Sequence, residues 1–456
     1  KDIFFKIIFI LFLYFTFIKM SSRQNLQVTP SNHTSTGKIS YRDGNPLIQF
    51  IIGEQDRMLI GQSVRFVGKF SAYKNSAKDI PATTDSLRMS EQLGLYSIID
   101  SLTIKSQATH QVIEEIRHFP RFMGSYLPVT SSMEDYTGHM SQQVLVSGNH
   151  QAQTLGVLSK KDGSFAIPLP CGLFNGQNPI PLMANGAGGV GGLLVEIQLA
   201  PDSNVFFDVN GVQTSDDVKD AFYELESVSL SCEAMTPDPS VSVPPASTFE
   251  YNSISSYFTT FNSTNAIINF NLGLSRVLGA FGNMVAANKI NNRGQNGLAN
   301  SYPTNSDATE SAGRITQLFF TRGGERFPLE YNIDTLQSSN VVIDAENDIA
   351  DPQIVQEYLN SIQQFSKLQR TTVSPMNTEY TSGLASVVNA KIDTGSVAGV
   401  GVAYDVISGQ GLDFSSVNWG LNMTCGITTD SPQAFYLFVH SKNTLAFSGD
   451  GISVIR

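Results

Sequence analysis

The chain has 456 residues, of which only 15% are charged, and its formal net charge is −11 at pH 7. This length allows two or three domains. The acidic balance, with no run of Lys or Arg beyond the first residues, excludes the basic surface that a nucleic-acid-binding protein needs. Three cysteines, Cys171, Cys232 and Cys425, lie far apart without metal-ligand spacing. We therefore expect no metal site and assembly in a reducing compartment, with Cys425 as a small buried hydrophobic residue.

The N-terminal region, residues 1–36, has two parts of opposite character. Residues 1–19 are almost all apolar or aromatic, but Lys6 interrupts the run and no small-residue cleavage site follows. We interpret this apolar segment as translated upstream sequence with Met20 as the natural start, and a membrane signal anchor is the alternative. Residues 21–36 are polar and aperiodic, which predicts a flexible arm.

Alternating apolar residues predict many short strands along the rest of the chain. In the first half the predicted strands lie at 46–73, 96–106, 144–146, 155–158, 164–169, 193–199, 204–209 and 223–232. The second half opens with an aromatic-rich stretch at 249–261 and an apolar stretch with glycines at 266–284. Its predicted strands lie at 315–334 with a break at Gly323-Gly324, 417–427, 435–439, 445–447 and 452–454. Turn-forming residues, including His440–Asn443, separate the last runs. Short, regularly spaced strands with such turns are typical of β-sandwiches.

Two amphipathic helices are predicted among these strands, one in each half. Residues 109–119 place Val112, Ile113, Ile116 and Phe119 on one helical face, and Pro120 is expected to end that helix. Asp351-Pro352 has the residue types that begin a helix, because Asp caps the first N–H groups and Pro fits the first turn. The apolar stripe of this second helix consists of Ile354, Val355, Tyr358, Leu359, Ile362 and Phe365.

A proline- and serine-rich segment divides the chain into two similar β-rich halves. Residues 236–247 contain four prolines, which a helix cannot accommodate and at which a central strand would lose hydrogen-bond donors. We therefore predict an all-β protein with minor helices, organised as a first sandwich at 37–235, a linker at 236–248 and a second sandwich at 249–456.

The motif Gly186-Ala-Gly-Gly-Val-Gly191 matches the dinucleotide-binding pattern, and Asp208 follows at about the spacing of a ribose ligand. That chemistry requires a helix after the glycines, so that the helix N-terminus meets the pyrophosphate. The alternating apolar residues at 193–199 predict a strand instead. We interpret the motif as a glycine loop that leads into a strand.

The tetrapeptide at 393–396, Asp-Thr-Gly-Ser, matches the local signature of aspartic proteases. Their mechanism needs two carboxylates that share a proton, and the chain has no second such motif. A homodimer would supply the second carboxylate, but few residues follow Asp393 for the rest of such a fold. We interpret the tetrapeptide as a β-turn.

The remaining polar motifs do not form a catalytic pattern. Six histidines lack any HExxH or nucleophile partner: His33, His110, His118, His139, His150 and His440. Three glycosylation sequons, at Asn32, Asn262 and Asn422, are expected by chance in a chain rich in Asn and Thr. We therefore predict that the protein is not an enzyme and has no catalytic, cofactor-binding or metal-binding residues.

Several stretches resemble the double jelly-roll major capsid proteins of icosahedral double-stranded DNA viruses, the family that includes nucleocytoplasmic large DNA viruses, virophages and polinton-like viruses. They are NPIPL at 178–182, LVEIQL at 194–199, FYELESVSL at 222–230, FPLEYNID at 327–334 and the strands at 435–454. The resemblance implies two tandem eight-stranded jelly-rolls. It also implies a homotrimer with pseudo-hexagonal outline that tiles a viral shell.

The same resemblance implies the partners: further copies of the chain, neighbouring capsomers, and penton and minor capsid proteins, with no sequence-specific nucleic-acid binding. The expected location is the virion, after assembly in the host cytoplasm or nucleus. Contact with a membrane is left open. The alternative from another class is a membrane-anchored or secreted β-sandwich adhesion protein that uses residues 1–19 as its anchor.

Overall fold

The computed structural model describes most of both halves of the chain. The described ranges are 23–131, 163–235, 248–294, 298, 315–326, 333–334, 357–362, 400–404, 410–425, 432–448 and 451–455, apart from short gaps at 35–36, 54–56, 83, 91–92, 177, 183–190, 209 and 264. Residues 1–19, the predicted strands at 144–146 and 155–158, the linker residues 236–247 and the Asp393 motif lie outside them. The predicted domain boundaries at the linker therefore stay a prediction.

The strands of the first half are β1 (Arg23–Val28), β2 (Lys38–Ile39), β3 (Leu47–Gly53), β4 (Met58–Tyr73), β5 (Leu87–Met89), β6 (Ile99–Ser106), β7 (Val112–Arg117), β8 (Gly163–Pro168), β9 (Ile180–Pro181), β10 (Gly192–Leu199), β11 (Phe206–Asp208) and β12 (Phe222–Met235). Those of the second half are β13 (Thr248–Phe261), β14 (Asn265–Phe270), β15 (Val277–Ala286), β16 (Ile315–Arg322), β17 (Glu325–Arg326), β18 (Ile333–Asp334), β19 (Val400–Ala403), β20 (Trp419–Cys425), β21 (Gln433–Ser448) and β22 (Gly451–Ile455).

Helices are few in the described part of the chain. They are α1 (Phe119–Thr130), the four-residue α2 (Asp202–Val205) and α3 at residues 357–362, with single 3-10 turns at Tyr41–Asp43, Gly94–Ile98 and Ala287–Lys289. The position of α3 agrees with the helix predicted from Asp351. Among the described residues, no helix combines the length and the apolarity needed to cross a bilayer.

The strands form three main sheets. The first sheet has the order β1-β12-β4-β8, with β2 on β12 and β9 on β4. The shared sheet has nine strands in the order β19-β15-β21-β13-β7-β6-β10-β3, with β22 on β21. The third sheet has the order β14-β20-β16-β17, with β18 on β16, and β5 pairs with β11 in a separate ribbon. The prediction of an all-β protein with minor helices is confirmed.

The first sandwich is formed by the first sheet and the strands β3, β10, β6 and β7 of the shared sheet. Side chains from both sheets meet in one core, where the rings of Phe50 and Phe66 lie 6.0 Å apart and those of Phe66 and Phe165 lie 5.3 Å apart. Successive residues of a strand point to opposite faces of the sheet, and these rings lie on the face that is turned towards the other sheet. Full burial of one such ring stabilises the fold by roughly 2 kcal/mol.

The second sandwich is formed by the third sheet and the strands β13, β21, β15 and β19 of the shared sheet. Trp419 on β20 is fully buried at its centre, 6.1 Å from the ring of Phe270 and 5.9 Å from that of Phe320. Leu437 and Val439 on β21 enter the same core from the shared sheet. The alternation that the sequence shows at 419–423 is therefore the burial of one strand face.

The shared sheet is buried on both faces where it belongs to the second sandwich. Leu437 and Val439 point into the second core, whereas Tyr436 and Phe438 between them pack into the core of the first sandwich. The two halves meet in this sheet where β7 and β13 run parallel, with Ser255 paired to Glu115. The two sandwiches are thus joined by main chain as well as by side chains.

The helix predicted at 109–119 is wrong, because β7 occupies residues 112–117. A register shift between Ile104 and Lys105 of β6 leaves Ile113 as an extra residue, which is a β-bulge. The bulge moves the apolar residues out of strict alternation and gives them helix-like spacing. Pro120 does not end a helix; it lies in the first turn of α1, where a missing N–H costs nothing.

The flexible arm predicted at 21–36 is wrong for residues 23–28. These residues form β1, which pairs antiparallel with β12 from Arg23 opposite Met235 to Val28 opposite Leu230. Only Leu26 and Val28 of this edge strand turn towards the core. Because β1 is held by main-chain hydrogen bonds, its sequence needs little apolar content.

Two predicted strand ends also differ from the structure. Residues 440–443 were expected to form a turn, but β21 continues through them to Ser448 because β13 pairs with it along its whole length. At 204–209 the chain begins as the end of the short helix α2 and continues as β11, so the expected strand is confirmed at 206–208 only. At 440–443, pairing with a distant strand overrides the local turn signal.

Candidate functional site

The contact region between the two sandwiches is the most constrained polar site in the described chain, and we call it the junction. It comprises β7, α1 and the turn at 171–174 from the first half, with β13, β15, β21 and α3 from the second. At its centre the Glu114 side chain points inward from β7, on the same side as Ile116, and the residue is only 2% exposed. Its position on the inner face follows from the bulge at Ile113.

The Glu114 carboxyl group binds backbone donors from both halves. Its Oε1 accepts the N–H of Gly172 at 2.8 Å and that of Ile254 at 2.7 Å, and its Oε2 accepts the N–H of Leu173 at 2.8 Å. Gly172 and Leu173 belong to the first half and Ile254 to β13. One buried side chain therefore replaces main-chain pairing at the point where the halves meet.

The electrostatics of this group are dominated by burial. Burial raises the pKa of Glu114 to about 7, although the three N–H donors and the Cys171 thiol act in the opposite direction. Burial and the neighbouring Glu114 carboxyl raise the pKa of the Cys171 thiol. None of the ion pairs formed by the described residues involves Glu114. The carboxyl is thus a buried acid held by dipoles rather than by a cation.

The main chains of the two halves approach closely beside this carboxyl group. A Cβ atom at Gly172 would lie 2.5 Å from the carbonyl carbon of Asn252 and 2.6 Å from the Cα of Ser253. Glycine is therefore required at this position. Nearby, the Tyr251 hydroxyl donates to the Ile113 carbonyl at 2.9 Å, and the Arg117 N–H donates to the Ser256 hydroxyl at 3.1 Å.

The helix α1 covers the back of the second sandwich. His118 precedes it with a positive φ of 56°, and this turn redirects the chain out of β7. Phe122 is the centre of an aromatic cluster, with ring centroids 5.5 Å from Tyr126, 6.1 Å from Phe281 and 5.6 Å from Phe438. Since Phe281 and Phe438 belong to β15 and β21, this cluster joins the two halves.

Buried hydrogen bonds fix the orientation of α1. The Asn283 side chain on β15 donates to the Ser125 hydroxyl at 2.6 Å and to the Arg121 carbonyl at 3.0 Å. The Tyr358 hydroxyl of α3 donates to the Ser125 carbonyl at 2.7 Å. The Arg121 guanidinium lies 5.2 Å from the ring centroid of Tyr436, and burial lowers the pKa of Arg121. Buried hydrogen bonds of this kind favour one packing arrangement.

A second contact between the halves lies at residues 287–294. The Arg293 guanidinium donates to the carbonyl groups of Val218 and Ala221 in the first half. The Asp208 N–H donates to the Arg293 carbonyl at 2.7 Å. The Thr109 hydroxyl also donates to the Ile452 carbonyl on β22 at 3.2 Å. The halves are therefore held together at both ends of the junction.

The structure does not use Asp208 as a ligand for a bound sugar. Asp208 is 2% exposed, and its carboxylate accepts hydrogen bonds from the Ser86 hydroxyl at 2.5 Å, the Ser215 hydroxyl and the Asn210 N–H. The residues after the glycine motif form β10 from Gly192, so the strand predicted there is confirmed. Gly186 and Gly188 lie outside the described residues.

Among the described histidines and sequon asparagines, the neighbours Asn32 and His33 bind the same carbonyl group, and His118 lies at a different place, beside aromatic rings. The His33 ring lies 2.8 Å from the Leu47 carbonyl, His118 packs between Phe258 and Tyr436, and burial lowers the pKa of His118. Asn32 also binds the Leu47 carbonyl, at 2.6 Å. Within the described ranges, no group of three His, Cys, Asp or Glu residues has the geometry of a metal site. His139 and His150 lie outside those ranges.

The cysteines are spread over both halves. Cys171 and Cys232 are buried as free thiols. Burial raises the pKa of Cys232 to about 11, so this thiol stays protonated at neutral pH. Cys425 ends β20, and its side chain is outside the described residues.

The outward side of the third sheet carries uncharged side chains around Ile267, with Arg326 further across it, and we call it the β14 face. Ile267 on the edge strand β14 is 70% exposed, and the register places it beside Asn422 and then Phe319. Asn265 and Asn269 flank Ile267 on the same strand and are also exposed or half-buried. The Phe319 ring is covered by the Arg326 guanidinium at 4.2 Å. A surface without carboxylate or ammonium groups at these positions loses little hydration when covered.

Comparison with known proteins finds likeness in structure alone. The chain matches no protein-family model and no curated protein sequence. It is similar to the PBCV-1 virus capsid, with 11% identity, a TM-score of 0.56, and coverage of 96% of this chain and 98% of that chain. The Faustovirus major capsid protein has 8% identity and a TM-score of 0.55, with coverage of 94% of this chain and 91% of that chain. The Sputnik virophage structure has 13% identity and a TM-score of 0.52, with coverage of 96% of this chain and 89% of that chain. These likenesses confirm the predicted fold of two jelly-roll sandwiches in tandem.

Proposed function

We propose that this chain is the major capsid protein of an icosahedral double-stranded DNA virus. The observation that carries the proposal is the correspondence over both sandwiches with the PBCV-1 virus capsid, which covers 96% of this chain and 98% of that one. In this role three copies form a pseudo-hexagonal capsomer, and capsomers tile the shell. The protein is then a component of the virion and acts as a wall rather than as an enzyme.

The geometry of the junction supports this role. Two sandwiches fixed side by side in one chain allow three chains to present six similar sides, which is what a hexagonal tile requires. The two sandwiches are attached by the buried contacts of the junction, and partly buried contacts at Thr109 and at Arg293 add to this attachment. A rigid tile transmits force between neighbours without changing its outline.

The partners that we propose are other copies of the chain, neighbouring capsomers, and penton and minor capsid proteins. The net charge of −11 favours protein partners over nucleic acid. The Asp393 motif is expected to be structural. Assembly would take place in the host cytoplasm or nucleus.

The oligomeric state tests the proposal directly. We expect a stable trimer that buries more than about 2,000 Å² in total, as obligate interfaces do. Static light scattering on the purified full chain, at micromolar concentration and physiological salt, should give three times the chain mass of 49.6 kDa. A monomer under these conditions would contradict the proposal and favour an adhesion protein.

The β14 face is expected to be buried between copies. Replacing Ile267 with glutamate places a negative charge on the edge strand β14 of this face, and burying that charge without a partner is unfavourable. The side chain is 70% exposed, so the chain should fold normally and remain a monomer by light scattering. Val212→Glu, the same change at an exposed position of the first half, is the control and should still form trimers. Trimers of the Ile267 variant would show that this face lies elsewhere in the capsomer.

A further inference from the structure

The Glu114 carboxyl is a buried acid between two halves of the molecule, and few charged groups face it. The turn at 171–174 contributes Cys171, the one titratable side chain among the described residues that interacts with the Glu114 carboxyl. On β6 the paired residue is Ile104, and Lys105 turns to the opposite face, where it binds Glu196 at 2.7 Å. On β13 the nearest carboxylate, Glu250, is exposed and paired with Arg276 at 2.9 Å.

The Glu114 carboxyl group can accept hydrogen bonds from the same three N–H groups whether it is ionised or protonated. When the group is ionised, both oxygens accept, but a full negative charge is buried without a cation, which is costly. When it is protonated, the carbonyl oxygen still accepts from Gly172 and Ile254, and the hydroxyl oxygen accepts from Leu173. The Cys171 side chain, which hydrogen-bonds to the carboxyl group, offers the sulfur as a weak acceptor for the hydroxyl proton.

We propose that Glu114 makes the attachment between the two sandwiches responsive to pH, with a tighter junction when the carboxyl is protonated and a looser one when it is ionised. The assignment depends on the contacts of this chain alone and is independent of the capsid function. In an assembled particle, the pH-responsive contact would lie inside each subunit rather than between subunits.

The direction of the response follows from linkage. Burial raises the pKa of Glu114 from 4.5 to about 7 in the folded chain, so the folded state holds its proton more tightly than the unfolded state. The extra stability is fully present below about pH 4.5 and is lost as the pH rises through about 7. Groups such as Asp217, whose pKa is lowered in the folded state, change stability in the opposite direction at more acidic pH.

Hydrogen exchange on the isolated full chain tests the proposal. Peptides covering residues 171–174 and 250–256 are followed by mass spectrometry between pH 4.5 and pH 8 in the wild type and in Glu114→Gln, which stays neutral. Relative to the variant, wild-type opening should increase by up to about tenfold per pH unit below neutrality and level off above it. Glu115→Gln, a change at the adjacent half-buried residue that contacts Arg117, should behave like wild type.

A wild-type-to-variant ratio that does not change with pH would overturn the proposal, because a carboxyl group with the same pKa in the closed and open states gives no pH dependence. If Glu114→Gln does not fold, the proposal is tested by hydrogen exchange on the wild type only. The same peptides are then compared with a peptide covering β14, which lies outside the junction. Loosening of the junction peptides relative to β14 as the pH rises supports the proposal, and equal behaviour of the two regions overturns it.

Discussion

Replacing Gly172 with alanine is expected to separate the turn at 171–174 from β13. The new Cβ would lie 2.5 Å from the carbonyl carbon of Asn252, and backbone on both sides leaves no flexible group to move away. A shift of the turn also removes two of the three donors of Glu114 and leaves a buried carboxyl unsatisfied. We expect a loss of about 3 kcal/mol or more in the free energy of unfolding, measured from urea denaturation.

Gly176→Ala is the matched control for this prediction. Gly176 lies four positions further along, and the nearest atom to its added Cβ would be the Leu173 carbonyl oxygen at an ordinary 3.5 Å. The control should change the urea midpoint little and leave hydrogen exchange at 250–256 as in the wild type. Equal effects of the two substitutions would show that the close approach to Asn252 does not hold the junction.

Replacing Phe122 with alanine is expected to weaken the contact between α1 and the second sandwich. The ring is fully buried between Phe281 and Phe438, so its removal leaves a cavity between the halves. Truncation of a buried phenylalanine costs roughly 3–5 kcal/mol. The loss should be visible in urea denaturation and as faster hydrogen exchange in α1 and β15.

Phe320→Ala separates this effect from a general loss of core packing. Phe320 is equally buried but lies in the second core against Trp419, away from α1. It should lower overall stability by a similar amount while α1 keeps its protection from exchange. If the Phe122 variant leaves α1 as protected as in the wild type, the aromatic cluster is not what attaches the halves.

The strands that the sequence predicted well are those whose burial follows a simple alternation. On β20, Trp419, Leu421 and Met423 face the core and the intervening residues face outward. Such a pattern is local, because a strand with one buried face needs an apolar residue at every second position. The all-β class was predictable for this reason.

The position of α1 was not predictable in the same way. A bulge opposite β6 at Ile113 imitates helical spacing, and a bulge is defined by its partner strand rather than by its own residues. Pro120 is compatible both with the end of one helix and with the first turn of the next. The contact of Phe122 with β15 and β21 favours a helix that begins at residue 119 over one that ends there.

Composition and alternation by themselves determined that the chain folds as tandem β-sandwiches with little charge. The junction was decided by the tertiary structure. Glu114 and Glu115 are adjacent and chemically identical, yet one is buried and the other is half-buried beside Arg117. The donors that distinguish them lie 58 and 140 positions away, at Gly172 and Ile254. Because the pKa of a carboxyl depends on what surrounds it in space, no local pattern identifies which of two neighbouring glutamates is buried.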